Sequence, residues 1–471
     1  MSNIDHLIKD MEAVLVSDQI VSGTELQDRY DHIWSIDQST RAPLALLPRN
    51  TADVAAILSI CHSHHQPIVV HGGLTNLVGA TTAGVDEVIV SLEKMNEIEE
   101  IDESSRTVTV QAGVILEAVH SAVADKGLLL PLSFGAKGSA QIGGIIATNA
   151  GGMRVMRFGT MRHMVLGLEA VLADGTVVSS LKKIMKDNSG YDLKQLFIGS
   201  EGTLGIITRA VLKLVEAPAS RTSAIIACEN YKDVIELLKY LDKNLAGTLS
   251  AFELMWRDTY LALTSPPSLP KPPLDYSYPF YILIEALGAD PAGDQERMIG
   301  LLETVLESGL ASDAVPAQSD SDLRWFWSIR EEVEGMTSLC QHNQQFDISL
   351  PIAKIGAYVH KTIALLQELP EVERVFAFGH IADGNVHFIV GKTRQSQALK
   401  KRINEIVYQP ILGSGGSVSA EHGIGLDKKQ FLSYARNETE IILMRELKRT
   451  LDSRNILNRG RILDLELAKH T

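Results

Sequence analysis

Three glycine-rich segments, set between short apolar runs in the first 205 residues, constrain this chain more than any other feature. The first is His71-Gly72-Gly73-Leu74-Thr75-Asn76-Leu77-Val78-Gly79, directly after the apolar Ile68-Val69-Val70. The second carries Gly135, Ala136, Gly138, Ser139, Gly143 and Gly144 and runs on to Asn149-Ala150-Gly151-Gly152. The third is Lys186-Asp187-Asn188-Ser189-Gly190, followed by Gly199-Ser200-Glu201-Gly202-Thr203-Leu204-Gly205 and the strand-like Ile206-Ile207. Glycine lets a backbone approach a ligand closely and turn its amides toward phosphate oxygens. The first segment is no Rossmann fingerprint: it lacks GxGxxG, and a strand at Val88 follows it where a helix would be needed. Nor does this segment carry the GK[ST] of a phosphate-binding P-loop. Any one such loop is more often a turn than a site. Three together predict a cofactor with a long, charged, flat body, and FAD fits.

At 471 residues the chain exceeds one ordinary core, so two or three domains are expected. Its net charge of −14 excludes a general nucleic-acid binder. The first residues have no basic and apolar leader, and no run is long and apolar enough to span a membrane. Cys61, Cys228 and Cys340 are scattered and form no zinc or iron–sulfur pattern. These features predict a reduced, cytoplasmic protein. Periodicity predicts a helix over 51–62, strands near 68–70, 88–90, 108–110 and 206–214, and helices over 114–126, 231–245, 297–308, 325–335 and 355–369. The Pro-rich stretch 265–273 reads as a solvated connection. Four regions follow: an N-terminal helical segment 1–42, a cofactor domain 43–217, a second domain 218–425, and a C-terminal helical segment 426–471 returning to the first domain. The fold class is α+β.

The second domain carries the chemistry-bearing motif. Gly379-His380-Ile381-Ala382-Asp383-Gly384-Asn385-Val386-His387 reads as strand, tight turn, strand, because Asp, Gly and Asn favour turns and apolar residues flank them. Such a hairpin can hold His380 and His387 side by side. Glu421, in Ala420-Glu421-His422-Gly423, can complete an N/N/O site with an open position, as catalytic divalent metals require. His422 beside it is placed to act as a base. Each histidine taken alone is more often a satisfied core or surface group.

Together these motifs resemble the flavoproteins named for vanillyl-alcohol oxidase and p-cresol methylhydroxylase (PCMH). Within them the chain resembles the branch of D-lactate and D-2-hydroxyglutarate dehydrogenases and the flavin subunit of glycolate oxidase. The resemblance implies a two-subdomain PCMH-type FAD-binding domain, an α+β ferredoxin-like substrate cap, and non-covalent FAD. It assigns the pyrophosphate to Gly72, Gly73, Leu74, Thr75, Asn76 and Gly79. Phosphate, ribitol and ring fall to Gly135, Ala136, Gly138, Ser139, Gly143, Gly144 and Asn149, and the rest of the channel to Glu201, Gly202, Ile206 and Ile207. His380, His387 and Glu421 are implied ligands of a divalent metal, usually zinc, with His422 the base. Arg330 would grip the substrate carboxylate and Asn385 would help orient it. Arg330 otherwise pairs with Glu334 one helical turn on.

The implied reaction oxidises a D-2-hydroxy acid to the 2-oxo acid, with hydride transfer to flavin N5. Electrons then leave to an external acceptor: an electron-transferring flavoprotein, a quinone or a cytochrome. Such enzymes are commonly soluble dimers. The sequence departs from the family at Leu74, Ala382, Ala420 and Asn458-Arg459-Gly460-Arg461. Gln345 stands where 2-hydroxyglutarate enzymes carry Lys, and Glu334 where they carry Thr. Both weigh against a second substrate carboxylate. Two other readings stay open, an FAD-carrying subunit of a multi-subunit oxidase and a flavin-dependent transferase.

Overall fold

The structure, a computed structural model, describes residues 3–23, 25–26, 40–265 and 271–465. Much of the expected N-terminal segment 1–42, most of the Pro-rich stretch and the last six residues lie outside these. Two compact units emerge, Met1–Gly151 with Thr160–Ala217 and Glu421–Thr471, and Gly152–Gly159 with Pro218–Ala420.

The first unit holds two sheets. One orders β1 (Ile20–Ser22), β2 (Leu44–Leu46), β4 (Val88–Ser91) and β3 (Ile68–His71), with β2 and β3 parallel to β4. The helix Thr51–His64 makes the crossover from β2 to β3. Asn50 caps its start by accepting from the Asp53 N–H, and His65 ends it in the left-handed region. Val54, Ile57, Leu58 and Cys61 form its buried stripe. The other sheet is antiparallel and orders β5 (Ile98–Asp102), β6 (Thr107–Gln111), β10 (Ile206–Lys213), β8 (Val165–Val171) and β9 (Val177–Ser180). A two-stranded ribbon pairs β7 (Leu128–Leu129) with β11 (Val215–Glu216).

Buried polar bonds explain why 421–471 belongs to this unit. Lys448, on the helix Glu438–Leu451, spends its three donors on Asp452 Oδ2 (2.5 Å), Thr203 O (2.8 Å) and Leu457 O (2.7 Å). Asn458 accepts from the Val70 N–H (2.9 Å) and donates to Glu201 O (2.6 Å). Among the described residues of the expected helical segment 426–471, helix is confined to short turns before Asn437 and to Glu438–Leu451, and none follows Leu451.

The second unit is one seven-stranded antiparallel sheet in the order β15 (Asp313–Pro316), β12 (Ser220–Cys228), β14 (Phe280–Gly288), β13 (Leu249–Trp256), β17 (Val372–His380), β18 (Asn385–Lys392) and β16 (His342–Ser349). Tyr260, Tyr281, Phe326, Trp327, Phe376 and Phe378 form the core on one face. Alternate residues such as Phe252, Leu254, Ile282 and Ile284 are buried on the other. With both faces covered, the central strands are almost continuously apolar. Glu253 on β13 and Glu285 on β14 interrupt that pattern, both fully buried. Glu285 accepts from Arg154 (2.9 and 3.3 Å), Arg221 (2.5 Å) and Ser250 (2.8 Å). Arg157 donates to Leu287 O and Thr248 O. These bonds tie 152–159, which the sequence reading left in the cofactor domain, into the second unit.

Candidate active site

In the first unit the glycine segments come together. A Cβ on Gly73 would stand 2.0 Å from Ser139 O, so these two loops touch backbone to backbone and only glycine fits. Asn76 Oδ1 accepts from the Val78 and Ala80 N–H groups (3.0 and 2.9 Å), which curls the first loop. Leu74 takes a positive φ of 57° there. Gly135 and Gly144 have nothing within 4 Å of an added Cβ, so their backbone lies open. The buried amide oxygen of Gln141 has no hydrogen-bond partner among the described residues, and it lies 3.7 Å from where a Gly72 Cβ would be. An open glycine backbone suits a phosphate-bearing cofactor, and the orphaned Gln141 oxygen, which only accepts, calls for a donor such as a hydroxyl or a ring N–H. The sequence reading passed over Gln141, although it lies inside the second glycine segment.

Several residues assigned to the cofactor channel hold the fold itself. Both carboxylate oxygens of Glu201 accept backbone N–H groups, from Ile424 (2.7 Å) and Gly425 (2.8 Å). Burial raises the Glu201 carboxyl above its usual range, against those two bonds and the Lys428 charge. This latch fixes the loop that begins with Glu421 and His422. Asn149 Oδ1 accepts from the Arg162 N–H (2.9 Å). A Cβ on Gly202 would meet Asn458 Nδ2 at 2.8 Å, and Ile206 and Ile207 are buried in β10.

In the second unit, β17 and β18 form a hairpin through a short turn at Ile381–Asp383, in register Phe378 to His387. Gly384 closes the turn at φ 87°, and an added Cβ would strike Leu350 O at 2.6 Å. The His380 and His387 rings stand 5.3 Å apart at 89°. A buried carboxylate lies behind each. Glu253, the register partner of His380, accepts at Oε1 from Nδ1 (2.6 Å) and at Oε2 from Arg330 Nε (2.8 Å). Asp347 Oδ1 lies 3.8 Å from His387 Nδ1 and accepts from Asn385 Nδ2 (2.8 Å). Its Oδ2 accepts from Ser419 Oγ (3.1 Å) and from the Ala420 N–H (3.0 Å), one peptide before Glu421. An imidazole hydrogen-bonded at Nδ1 to a carboxylate, as His380 is, with a second carboxylate near the Nδ1 of His387, is an arrangement that can support a divalent cation. Burial drives the Glu253 carboxyl up, but the His380 and Arg330 charges outweigh it and hold it below the usual range.

Arg330 is buried, with Phe378 under its guanidinium at 4.8 Å. Among the described residues its terminal nitrogens make no hydrogen bond, so the fork remains for an anion. It does not pair with Glu334. The helix Asp320–Glu331 breaks at Glu332, and Glu334 lies exposed on the next short helix. Asn385 spends its amide hydrogens on Asp347 and on Ile348 O (3.0 Å), leaving a buried Oδ1 without a partner among the described residues. Gln345 lies on the Asp347 side of β16, two residues away, and donates to Asn343 Oδ1 (3.3 Å). Sequence reasoning missed Glu253 and did not weigh Asp347. The signal for Glu253 was a single charge inside the apolar run Leu249–Trp256.

Comparison with known proteins supplies the family. A family described as FAD linked oxidases, C-terminal domain, matches residues 217–462, and one described as FAD binding domain matches 42–180. The chain belongs to the FAD-linked oxidases and is an FAD-binding flavoprotein. Its relatives place it in the branch of D-2-hydroxyacid dehydrogenases. The mitochondrial D-2-hydroxyglutarate dehydrogenase of Bos taurus is 40% identical over 89% of this chain and 76% of its own length. A putative mitochondrial D-lactate dehydrogenase of Schizosaccharomyces pombe is 38% identical over 91% of this chain and 83% of its own. Among solved structures, p-cresol methylhydroxylase shares the fold, with a TM-score of 0.72 at 17% identity over 98% of this chain and 97% of that one. Alkyldihydroxyacetonephosphate synthase also shares it, at 0.76 and 16% over 96% and 85%. The expected cytoplasmic location is corrected by these relatives, which are named as mitochondrial proteins. Charge and cysteine usage do not separate the two reducing compartments. No described helix is long and apolar enough to cross a membrane.

Proposed function

We propose that the chain oxidises a D-2-hydroxy acid to its 2-oxo acid, with a divalent cation, zinc by its donor set, at His380, His387 and Glu421. The observation that carries this reading is the Arg330 fork, buried, without a hydrogen bond at its terminal nitrogens among the described residues, and joined through one carboxylate to the His380 ring. A guanidinium so placed suits bidentate capture of a carboxylate, a role lysine fills poorly. When bound, the flavin supplies a hydride acceptor for C2 and the cation a Lewis acid for the 2-hydroxyl. Arg330 anchors the acid, Asn385 helps orient it, and His422 takes the hydroxyl proton, a task that suits imidazole near neutral pH. The 72–79 and 135–149 segments cradle FAD non-covalently. The cysteines match no iron–sulfur pattern, so electrons leave to an external acceptor such as an electron-transferring flavoprotein, a quinone or a cytochrome. Names of relatives cover both a hydroxyglutarate and a lactate enzyme, so the acid is assigned by class.

Replacing His422 with Asn tests the reading. Turnover should fall roughly 10²–10⁴-fold with FAD content unchanged. Wild-type turnover in H422N would end the base assignment.

A further inference from the structure

We propose that Glu253 is a positioning residue that serves both ends of the reacting acid, fixing the His380 ring on the metal side and the Arg330 fork on the carboxylate side. The inference rests on the reading of His380 as a metal ligand. Its basis is the geometry of one strand. Glu253 lies directly opposite His380 in the β13–β17 register and is fully buried. Each oxygen has one client, Oε1 the His380 Nδ1 at 2.6 Å and Oε2 the Arg330 Nε at 2.8 Å.

Both contacts select a state of the client. A carboxylate only accepts, so Nδ1 must carry a proton, and a cation that binds this ring does so at Nε2, displacing any proton there. Arg330 is held through Nε, the one donor that bidentate capture by the terminal nitrogens does not need, and Phe378 braces the plane of the guanidinium. A glutamine at 253 cannot satisfy both clients. It can accept from His380 or from Arg330, but its NH₂ then confronts the other donor. The burial of a charge in an apolar strand would otherwise be costly.

The test uses the flavin-loaded full chain, with Zn²⁺ affinity measured by equilibrium dialysis against a competing chelator. KM for D-2-hydroxyglutarate and for D-lactate is measured alongside. E253Q should weaken Zn²⁺ binding about 10–100-fold and raise KM for the acid that is oxidised, while the folded fraction keeps its FAD. E253D, with its charge retained and its reach shortened, should show a smaller loss of both. H380A and H387A serve as references. If neither weakens Zn²⁺ binding, the metal reading fails and takes this inference with it. If both abolish Zn²⁺ binding and E253Q stays within twofold of the parent, Glu253 is structural only and the inference alone is overturned. Should E253Q not fold, the same twofold criterion is applied to E253D.

Discussion

Gly72 and Gly73 are adjacent, yet substituting them should have separable consequences. Neither has a φ in the left-handed region, so an alanine brings no backbone strain and the outcome depends on space. At Gly73 the new Cβ would stand 2.0 Å from Ser139 O and 2.9 Å from Ala140 Cα. Reaching ordinary contact requires the two loops to part by about 1.4 Å, in an interior packed as densely as a crystal. Overpacking of this kind costs about 1–3 kcal/mol. At Gly72 the nearest atom is 3.7 Å away, an ordinary contact. There the lost chain entropy of glycine should leave stability unchanged or raise it by up to about 1 kcal/mol. Thermal unfolding of the FAD-free chains measures this difference, and visible absorbance of the reconstituted chains measures FAD content. G73A should destabilise the FAD-free chain. G72A should spare it and, with the first loop cradling FAD as proposed, lose FAD affinity only. Equal stability of the two FAD-free variants would refute the packing argument. Full FAD affinity in G72A would remove the first loop from the cradle.

Three further outcomes follow from the structure. R154M removes one of two cations from the buried Glu285 and should destabilise the second unit by roughly 3 kcal/mol; R154M/E285Q should recover part of that in urea unfolding. His71 is buried, and its pKa is pushed from 6.5 down to about 4, chiefly by burial and secondarily by Arg461. The unfolded chain therefore binds a proton that the folded chain refuses. Stability is complete above about pH 6.5 and falls by up to about 3 kcal/mol toward pH 4, and H71Q should flatten that slope. Chelation followed by verified metal analysis should abolish acid oxidation with FAD retained, and Zn²⁺ should restore it; full activity without metal would remove His380, His387 and Glu421 as ligands.

What the sequence made legible was local. The turn chemistry of Ala382–Asn385 and its apolar flanks announced a hairpin, and the hairpin stands. The glycine segments marked loops where backbones meet. Nonlocal partners were hidden. Arg330 offered Glu334 four residues away, but its carboxylate is Glu253, 77 positions distant in sequence, because the helix breaks at Glu332. Glu201 sat in a glycine run and read as channel lining, while its oxygens hold Ile424 and Gly425. In both cases a buried charge needed a partner, and periodicity cannot say which strand or loop will supply it. The exchange of 152–159 into the second unit is of the same kind, since Arg154 and Arg157 find their partners on strands far along the chain.

The central claim is tested most directly by anaerobic titration of the purified, zinc-replete flavoprotein with the D and L forms of lactate and 2-hydroxyglutarate, following the visible flavin band. Bleaching by a D acid, and not by its mirror image, is the result this account predicts. A flavin band that no 2-hydroxy acid bleaches would contradict it.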